Sequence, residues 1–468
     1  MSVHLLVDFG STYTKLVAVD LEKEEIVGTS RSMTTVKTDV LEGFDLALEK
    51  LDKAHPDMAE ITAISACSSA AGGLKMAAIG LVEELTAEAA KRACLGAGAL
   101  VNHVYSHHLA KKEIKELQQA NIDIILLAGG TNGGNKECII HNAKKLAEAK
   151  LDVPIIVAGN KDAEDEIDEI LSASDTEYYI VDNVMPKLRQ LNVESAKEVI
   201  RKIFITKIIE GKGIKKAEEK TGEIIMPTPE AVLQAAELLA KGHEDEEGLG
   251  ELMVIDIGGA TTDVHTIGRG LPKRTEVILK GLQEPFAKRT VEGDLGVRHS
   301  ANALLSIVSP FGFRKYYREP DTIDEDDLDD DFFESGVKKR QEQIDYLPDS
   351  DEERAFDRAL ARICTDYSMS RHVGSVEVVH TPLGNMYYQT GKDLTGMKYV
   401  IGTGGVLIFN EDPKAILREV QHKSDKKLEL RPTDSEPLID EKYIMSAMGL
   451  LGQKHPKLAL RLLKRHLK

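Results

Sequence analysis

Two apolar runs joined by a glycine turn open the chain: His4-Leu-Leu-Val-Asp8-Phe-Gly10-Ser-Thr-Tyr-Thr-Lys15-Leu-Val-Ala-Val-Asp20. The pattern predicts strand, tight turn, strand. Between Asp39 and His55 the apolar residues Leu41, Phe44, Leu48 and Leu51 keep helical spacing, and Pro56 ends it. Ile61 to Ala66 is a short apolar run and reads as a strand. From Glu83 to Leu117 the pattern turns helical, with a break near Gly96 and Gly98.

An alternation follows. Ile122–Ala128, Val153–Ala158 and Glu177–Asp182 are strand-like, and helix-like stretches at 136–150 and 162–173 separate them, the order of parallel βαβ units. A charged region at 212–223 and a helix following Pro229 lead to an acidic, glycine-bearing linker from Lys241 to Gly250.

After that linker the opening theme returns as Leu252-Met-Val-Ile-Asp256-Ile-Gly258-Gly-Ala-Thr-Thr-Asp263-Val-His-Thr-Ile267. Placing Asp8 over Asp256 also aligns Gly10 with Gly258 and Thr14 with Thr262, so the chain reads as two related halves. Arg318 to Arg354 is hydrophilic and gathers Asp321, Asp324, Glu325, Asp326, Asp327, Asp329, Asp330, Asp331 and Glu334, which predicts a solvated loop or mobile segment outside any nucleotide site, with a docking surface for a basic partner as the alternative. Lys398-Tyr-Val-Ile401-Gly-Thr-Gly-Gly405 is a strand running into a glycine turn. Helical patterns follow at 413–421 and from Glu441 to the end.

Length and charge narrow the function classes. A chain of 468 residues is long enough for two to four domains. A formal net charge of −18 speaks against a protein that grips nucleic acid through its phosphates. With 42% hydrophobic residues the chain can build cores. Its cysteines (Cys67, Cys94, Cys138, Cys364) form no Cys-x-x-Cys pair, so neither a zinc site nor a disulfide framework is expected. No apolar run reaches membrane-spanning length, and a soluble, cytoplasmic protein is expected, with neither nucleic acid nor membrane as partner.

The two Asp-x-Gly hairpins carry the chemistry. A glycine turn between strands lets backbone N–H groups face inward with no Cβ in the way, a nest for phosphate oxygens. Ser11, Thr12, Thr14, Thr261 and Thr262 add hydroxyls, and Lys15 adds positive charge. Asp8 and Asp256, at strand ends, suit a magnesium ion held through its waters. Two such hairpins facing one another would clamp a di- or triphosphate.

The order and spacing of the three glycine turns resemble the actin, Hsp70 and sugar-kinase superfamily. Asp8–Lys15 looks like its first phosphate motif, Asp256–Asp263 its second and Ile401–Gly405 its adenosine motif, with Ser446-Ala-Met-Gly-Leu450 as a return helix. More narrowly, Val7–Lys15, Leu127-Ala-Gly-Gly-Thr-Asn-Gly-Gly-Asn135, Val254–His265 and Thr290-Val-Glu-Gly-Asp-Leu-Gly-Val-Arg298 resemble the GlmL/MutL family, which is unrelated to the mismatch-repair protein sharing the second name. Its members accompany adenosylcobalamin-dependent mutases, such as glutamate mutase and the lysine and ornithine aminomutases, and are regarded as ATP-driven reactivating chaperones.

The resemblance implies an α/β, two-lobed ATPase of duplicated ribonuclease-H-like domains with an additional α/β portion between the phosphate motifs. It places a first lobe at 1–120, the additional portion and linker at 121–250, and a second lobe at 251–440 with an acidic insertion near 318–354. A helical segment at 441–468 returns to the first lobe. ATP and magnesium are the implied cofactors. Gly10, Ser11, Thr12, Thr14, Lys15, Gly258, Gly259, Ala260, Thr261 and Thr262 would hold phosphates, and Gly402, Thr403, Gly404 and Gly405 the adenosine. Asp8 and Asp256 would serve the metal, and Asp256 or Asp263 would orient the attacking water. The implied partner is a cobalamin mutase or aminomutase; a small second reactivase subunit and self-association stay open.

Other readings compete. A small-molecule kinase or an actin-like assembly ATPase would use the same phosphate clamp. A dehydratase activator would need clustered cysteines for an iron–sulfur centre. Asp8-Phe-Gly10 lacks the other protein-kinase motifs. The loop Gly129–Asn135 is near a P-loop, but its lysine is displaced and no Ser/Thr follows, leaving a structural turn or a nucleotide-side or interdomain loop. His103 and His107, spaced as a helical metal pair, lack further ligands and read as surface or core histidines.

Overall fold

A computed structural model of the chain describes residues 2–35, 40–69, 74–211, 224–317, 330–382 and 384–468. The chain divides into two compact units, Met1–Gly72 with Lys212–Lys280 and Glu284–Lys468, and Gly73–Gly211 with Gly281–Gln283.

The first unit begins with β1 (Val3–Phe9), β2 (Tyr13–Asp20), β3 (Glu25–Met33) and β4 (Ile61–Ser68). β1 is buried at every position, as an unbroken Val-His-Leu-Leu-Val-Asp-Phe run packed on both faces must be. The second unit then supplies β5 (Lys75–Gly80), β6 (Leu100–Ser106), β7 (Ile124–Leu127), β8 (Ile155–Val157) and β9 (Tyr178–Ile180), an all-parallel sheet in the order β6-β5-β7-β8-β9. Its core is aliphatic, from Ile79, Ile125 and Leu127 to Leu146 and Ile167.

Back in the first unit, β10 (Ile224–Pro227) pairs parallel with β4, and a hairpin of β11 (Gly242–His243) and β12 (Glu246–Glu247) precedes β13 (Leu252–Ile257). There follow β14 (Thr262–Ile267), β15 (Val277–Leu279), β16 (Ala287–Glu292), β17 (Ser375–Thr381), β18 (Gly384–Thr390), β19 (Tyr399–Thr403) and β20 (Glu436–Ile439). The sheets β3-β2-β1-β4-β10 and β16-β14-β13-β19-β20 have one design: three antiparallel strands, then two added parallel to the first. The repeat read from Asp8 and Asp256 is thus a repeat of whole sheets, the two-lobed α/β architecture that the resemblance implies.

The pleat of β13 sends Leu252 and Val254 into one core with Leu6, Val17 and the helices Thr228–Lys241, Met445–Gly452 and Pro456–His466. Met253, Ile255 and Ile257 enter another, with Phe313, Phe333 and the helix Asp351–His372. No helix among the described residues is long and apolar enough to cross a membrane.

Several expectations are corrected. Residues 74–120, grouped above with the first lobe, belong to the second unit because β5 is hydrogen-bonded on both sides to β6 and β7. Conversely, β10 and the helix Thr228–Lys241, grouped above with the additional portion, belong to the first unit. The stretch 83–117 is not helical throughout: β6 interrupts it, so His103 lies on a strand and His107, at φ 62°, beyond its end. The helix Glu194–Gly211 and the small sheet β15-β18-β17 answer to no predicted element.

The acidic expectation at 321–329 lies outside the described residues. From Asp330 on, the chain is no solvated loop but the helix Asp330–Glu342, whose Phe333 stacks on Phe313 at 4.1 Å between ring centroids. Buried Arg340 on that helix pairs with Asp357 and Glu353, so two aromatic rings and an ion cluster outweigh the charge count.

Candidate functional site

The hairpins β1–β2 and β13–β14 are built alike. Gly10 N–H donates to Tyr13 O at 3.1 Å, and Gly258 N–H to Thr261 O at 2.8 Å. A Cβ would lie 2.6 Å from Tyr13 O at Gly10, so the first turn requires the bare backbone, and 3.0 Å from Thr261 O at Gly258, a tight fit in the second. The two tips meet: a Cβ on Gly259 would be 3.2 Å from Thr12 Oγ1. That hydroxyl is buried and has no hydrogen-bond partner among the described residues, an unpaired donor between two phosphate-type turns.

Strand register decides which predicted residues converge. Asp8 faces Lys15 across the first hairpin and Asp256 faces Asp263 across the second. Thr14 and Thr262, one residue out of step, point to the opposite face: Thr14 meets Thr34 at 3.1 Å, and Thr262 donates to Leu295 O at 2.7 Å. The structure therefore keeps these two hydroxyls from the carboxylate face. Thr261 donates to Asp263 at 3.2 Å, and Ala260 O accepts from Ser300. Ser11 lies half-buried in the first turn.

The carboxylates are not equivalent. Asp8 is 3% exposed, ion-paired to Lys15 at 2.7 Å, and accepts the Thr228 hydroxyl at 2.6 Å and the Ser446 hydroxyl at 3.1 Å. Burial works against the Lys15 ammonium, but Asp8, Tyr443 and Asp256 outweigh it and lift its pKa above the ordinary lysine range. Asp263 is held by the buried Arg289, at 2.7 Å from Nε and 2.6 Å from Nη2. Asp256 accepts no hydrogen bond at its carboxylate among the described residues. Burial first, then the charges of Asp263, Asp8 and Asp440, raise its pKa to about 7 against the pull of Lys15.

The adenosine-type turn closes beside the second hairpin. Gly404 has φ 103°, and a Cβ there would lie 2.3 Å from Ile257 O. Gly405 faces open space, and Gly402 packs on Leu407 and Leu417. Thr403 donates to Asp440 at 3.0 Å. Asp440 also caps the helix beginning at Met445 by accepting from Ile444 N and Met445 N, and that helix carries Ser446.

Thr228, Asp440, Tyr443 and Arg289 escaped the sequence reading. Thr228 and Asp440 carry only a weak local signal, a hydroxyl at the first position of one apolar helix and a carboxylate five residues ahead of another; Arg289 and Tyr443 have none. The family-type stretch Thr290–Arg298 covers the second turn, with Val297 N–H and Arg298 N–H donating to Gly258 O and Gly259 O. The loop Gly129–Asn135 belongs to the second unit, where Asn160 and Asn183 side chains bond its carbonyls at Gly130, Gly134 and Asn135. All four cysteines are free and buried.

Among the described residues no three His, Cys, Asp or Glu side chains gather into a metal cage. Two carboxylates beside an anion nest suit a magnesium carried on nucleotide phosphates and its own waters. If so, removing either hydroxyl from Asp8, by Thr228→Val or Ser446→Ala, should weaken magnesium–ATP binding about three- to tenfold in calorimetry, the effect of one hydrogen bond. Unchanged affinity in both variants would show that Asp8 needs no such alignment.

A family model described as MutL protein matches residues 4–467. The chain is 51% identical over 469 residues to "Protein MutL" of Clostridium tetanomorphum, covering 100% of this chain and 99% of that protein. Solved structures that it resembles weakly include nucleotide-free acetone carboxylase, at 14% identity and TM-score 0.42 over 96% of this chain and 70% of the other. Another is a glycerol dehydratase reactivase, at 10% identity and TM-score 0.33 over 96% and 100% of the two chains.

Proposed function

The chain belongs to the MutL family, and from that premise we propose that it hydrolyses ATP to release inactivated cobalamin from an adenosylcobalamin-dependent aminomutase or carbon-skeleton mutase. One juxtaposition supports the ATP half of this reading: the unpaired Thr12 hydroxyl lies against Gly259, bringing together two matched glycine turns that carry Asp8, Lys15 and Asp256. The mutase half rests on family resemblance.

The chain's own groups divide the work. Backbone N–H groups of Gly10–Thr12 and Gly258–Ala260, the Thr12 hydroxyl and Lys15 would receive the phosphates, and the Gly404–Gly405 turn the adenosine. Asp8 and Asp256 would hold magnesium, which when bound neutralises phosphate charge. Asp263 is already engaged by Arg289, whereas Asp256 has no competing donor among the described residues. Asp256 would orient the attacking water and accept its proton as the bond from the γ-phosphorus to its bridging oxygen breaks, leaving ADP and phosphate.

A mutase that has lost its adenosyl group keeps a tightly bound, inactive cobalamin. ATP hydrolysis in a cell supplies on the order of ten kcal/mol, comparable with the binding free energy of a nanomolar to micromolar ligand. It can be coupled to release if the two nucleotide states bind the mutase with different affinity. A mutase inactivated in situ should regain activity with this protein, ATP, magnesium and fresh adenosylcobalamin, but not with Asp8→Ala or a non-hydrolysable nucleotide. No recovery with any cobalamin mutase of the source organism, together with phosphate transfer to a small metabolite, would overturn the reading in favour of a kinase.

A further inference from the structure

Tyr443 stands in a conformation that its residue type disfavours. Its φ is 56°, in the left-handed region where a bulky side chain crowds the backbone and glycine is the usual occupant. The residue forms the corner between β20 and the helix Met445–Gly452, and its N–H donates to Asp440 O at 2.9 Å. Glycine would turn this corner without strain. What glycine could not supply is the ring: Lys15 Nζ sits 3.8 Å from its centroid, with Asp8 2.7 Å from the same ammonium.

The corner also links separate parts of the site. Three residues before Tyr443, Asp440 holds Thr403 of the adenosine-type strand; three residues after it, Ser446 holds Asp8. One short segment thus bears on the adenosine turn, the phosphate lysine and the metal carboxylate.

We propose that Tyr443 is the positioning residue of Lys15, its ring forming a fixed floor that aims the ammonium at the phosphates of the bound nucleotide. The inference rests on the ATP reading above. An ammonium on a four-carbon stem has many rotamers, and a face-on aromatic ring together with Asp8 selects one before the nucleotide arrives. The ring, rather than the hydroxyl, does the positioning, and its effect falls on phosphate recognition, leaving adenosine untouched.

Calorimetry with adenosine, ADP and a non-hydrolysable ATP analogue separates these possibilities. Tyr443→Phe should stay within about twofold of wild type for all three ligands. Tyr443→Leu should bind the ATP analogue and ADP about three- to tenfold more weakly, the scale of a partly buried cation–π contact, with adenosine affinity unchanged. Tyr443→Gly, which relieves the backbone, should show the same selective loss and covers the case in which the leucine variant does not fold. Equal loss for adenosine and ATP in the glycine variant would reduce Tyr443 to a structural corner, and unchanged ATP affinity in the leucine or glycine variant would overturn the proposal. Wild-type protein that binds none of the three ligands would instead remove the ATP reading itself.

Discussion

Replacing Asp256 by asparagine should lower ATP turnover about a hundredfold or more, the contribution of a positioned carboxylate base. The substitution preserves shape and removes only the charge, so nucleotide affinity without magnesium should change little while turnover collapses. The pH dependence follows from the raised pKa near 7. The carboxylate is protonated below that value and ionised above it, so wild-type kcat/KM should climb as pH rises through about 7, and the variant's residual activity should lack that limb.

Stability should move the opposite way. Between the ordinary carboxylate range and about pH 7 the folded protein holds a proton that the unfolded chain has released, so the contribution of Asp256 to stability falls as pH rises through this window. At pH 8, without nucleotide or magnesium, Asp256→Asn should therefore melt higher than wild type, and the difference should shrink toward pH 4. A variant that is inactive and less stable at pH 8 would mean that the Asp256 carboxylate is satisfied by partners in the free protein, against the unpaired state described above.

The second large effect is expected at Gly449, where a Cβ would meet the backbone of Ala231. The helices Thr228–Lys241 and Met445–Gly452 cross so closely there that a Cβ would lie 1.9 Å from Ala231 O. Backbone on the far side cannot rotate away, so Gly449→Ala must push the helices apart, at a cost of about 1–3 kcal/mol or more. The same helices carry Thr228 and Ser446, whose hydroxyls both reach Asp8. Thermal unfolding should show the loss of stability, and calorimetry a fall in magnesium–ATP affinity at least as large as that of Thr228→Val. Retained stability with full affinity would show that this crossing is looser than the helix spacing implies.

How much was legible in the residues varies with the range of the interaction. Asp8-Phe-Gly10 and Asp256-Ile-Gly258 announce their hairpins because glycine, flanking strand residues and turn length act over a handful of positions, and repetition of the pattern revealed two halves. Ile401–Gly405 was legible for the same reason. Periodicity served equally well for the helices at 137–149 and 164–172, whose apolar faces are regular. It failed at Leu100–Ser106, where Val, His and Tyr accept either state and hydrogen bonding to β5 settles the matter. It failed again after Asp330, where a charge count cannot register that Phe333 stacks on Phe313 or that Arg340 finds two carboxylates.

Composition and local pattern were enough to determine the paired glycine turns, the strands that carry them and the kinds of group gathered at their ends. Only the tertiary structure decided which groups face one another. Thr14 and Thr262 were lost from the carboxylate face by a single step of register. Thr228, Asp440, Tyr443, Ser446 and Arg289 were brought to it by parts of the chain up to 438 residues from their partners. The physical reason is that pKa, hydrogen-bond satisfaction and cation–π contact depend on distances of a few ångströms through space. A sequence fixes such distances across one turn or strand, and only packing fixes them across two sheets and the helices between them.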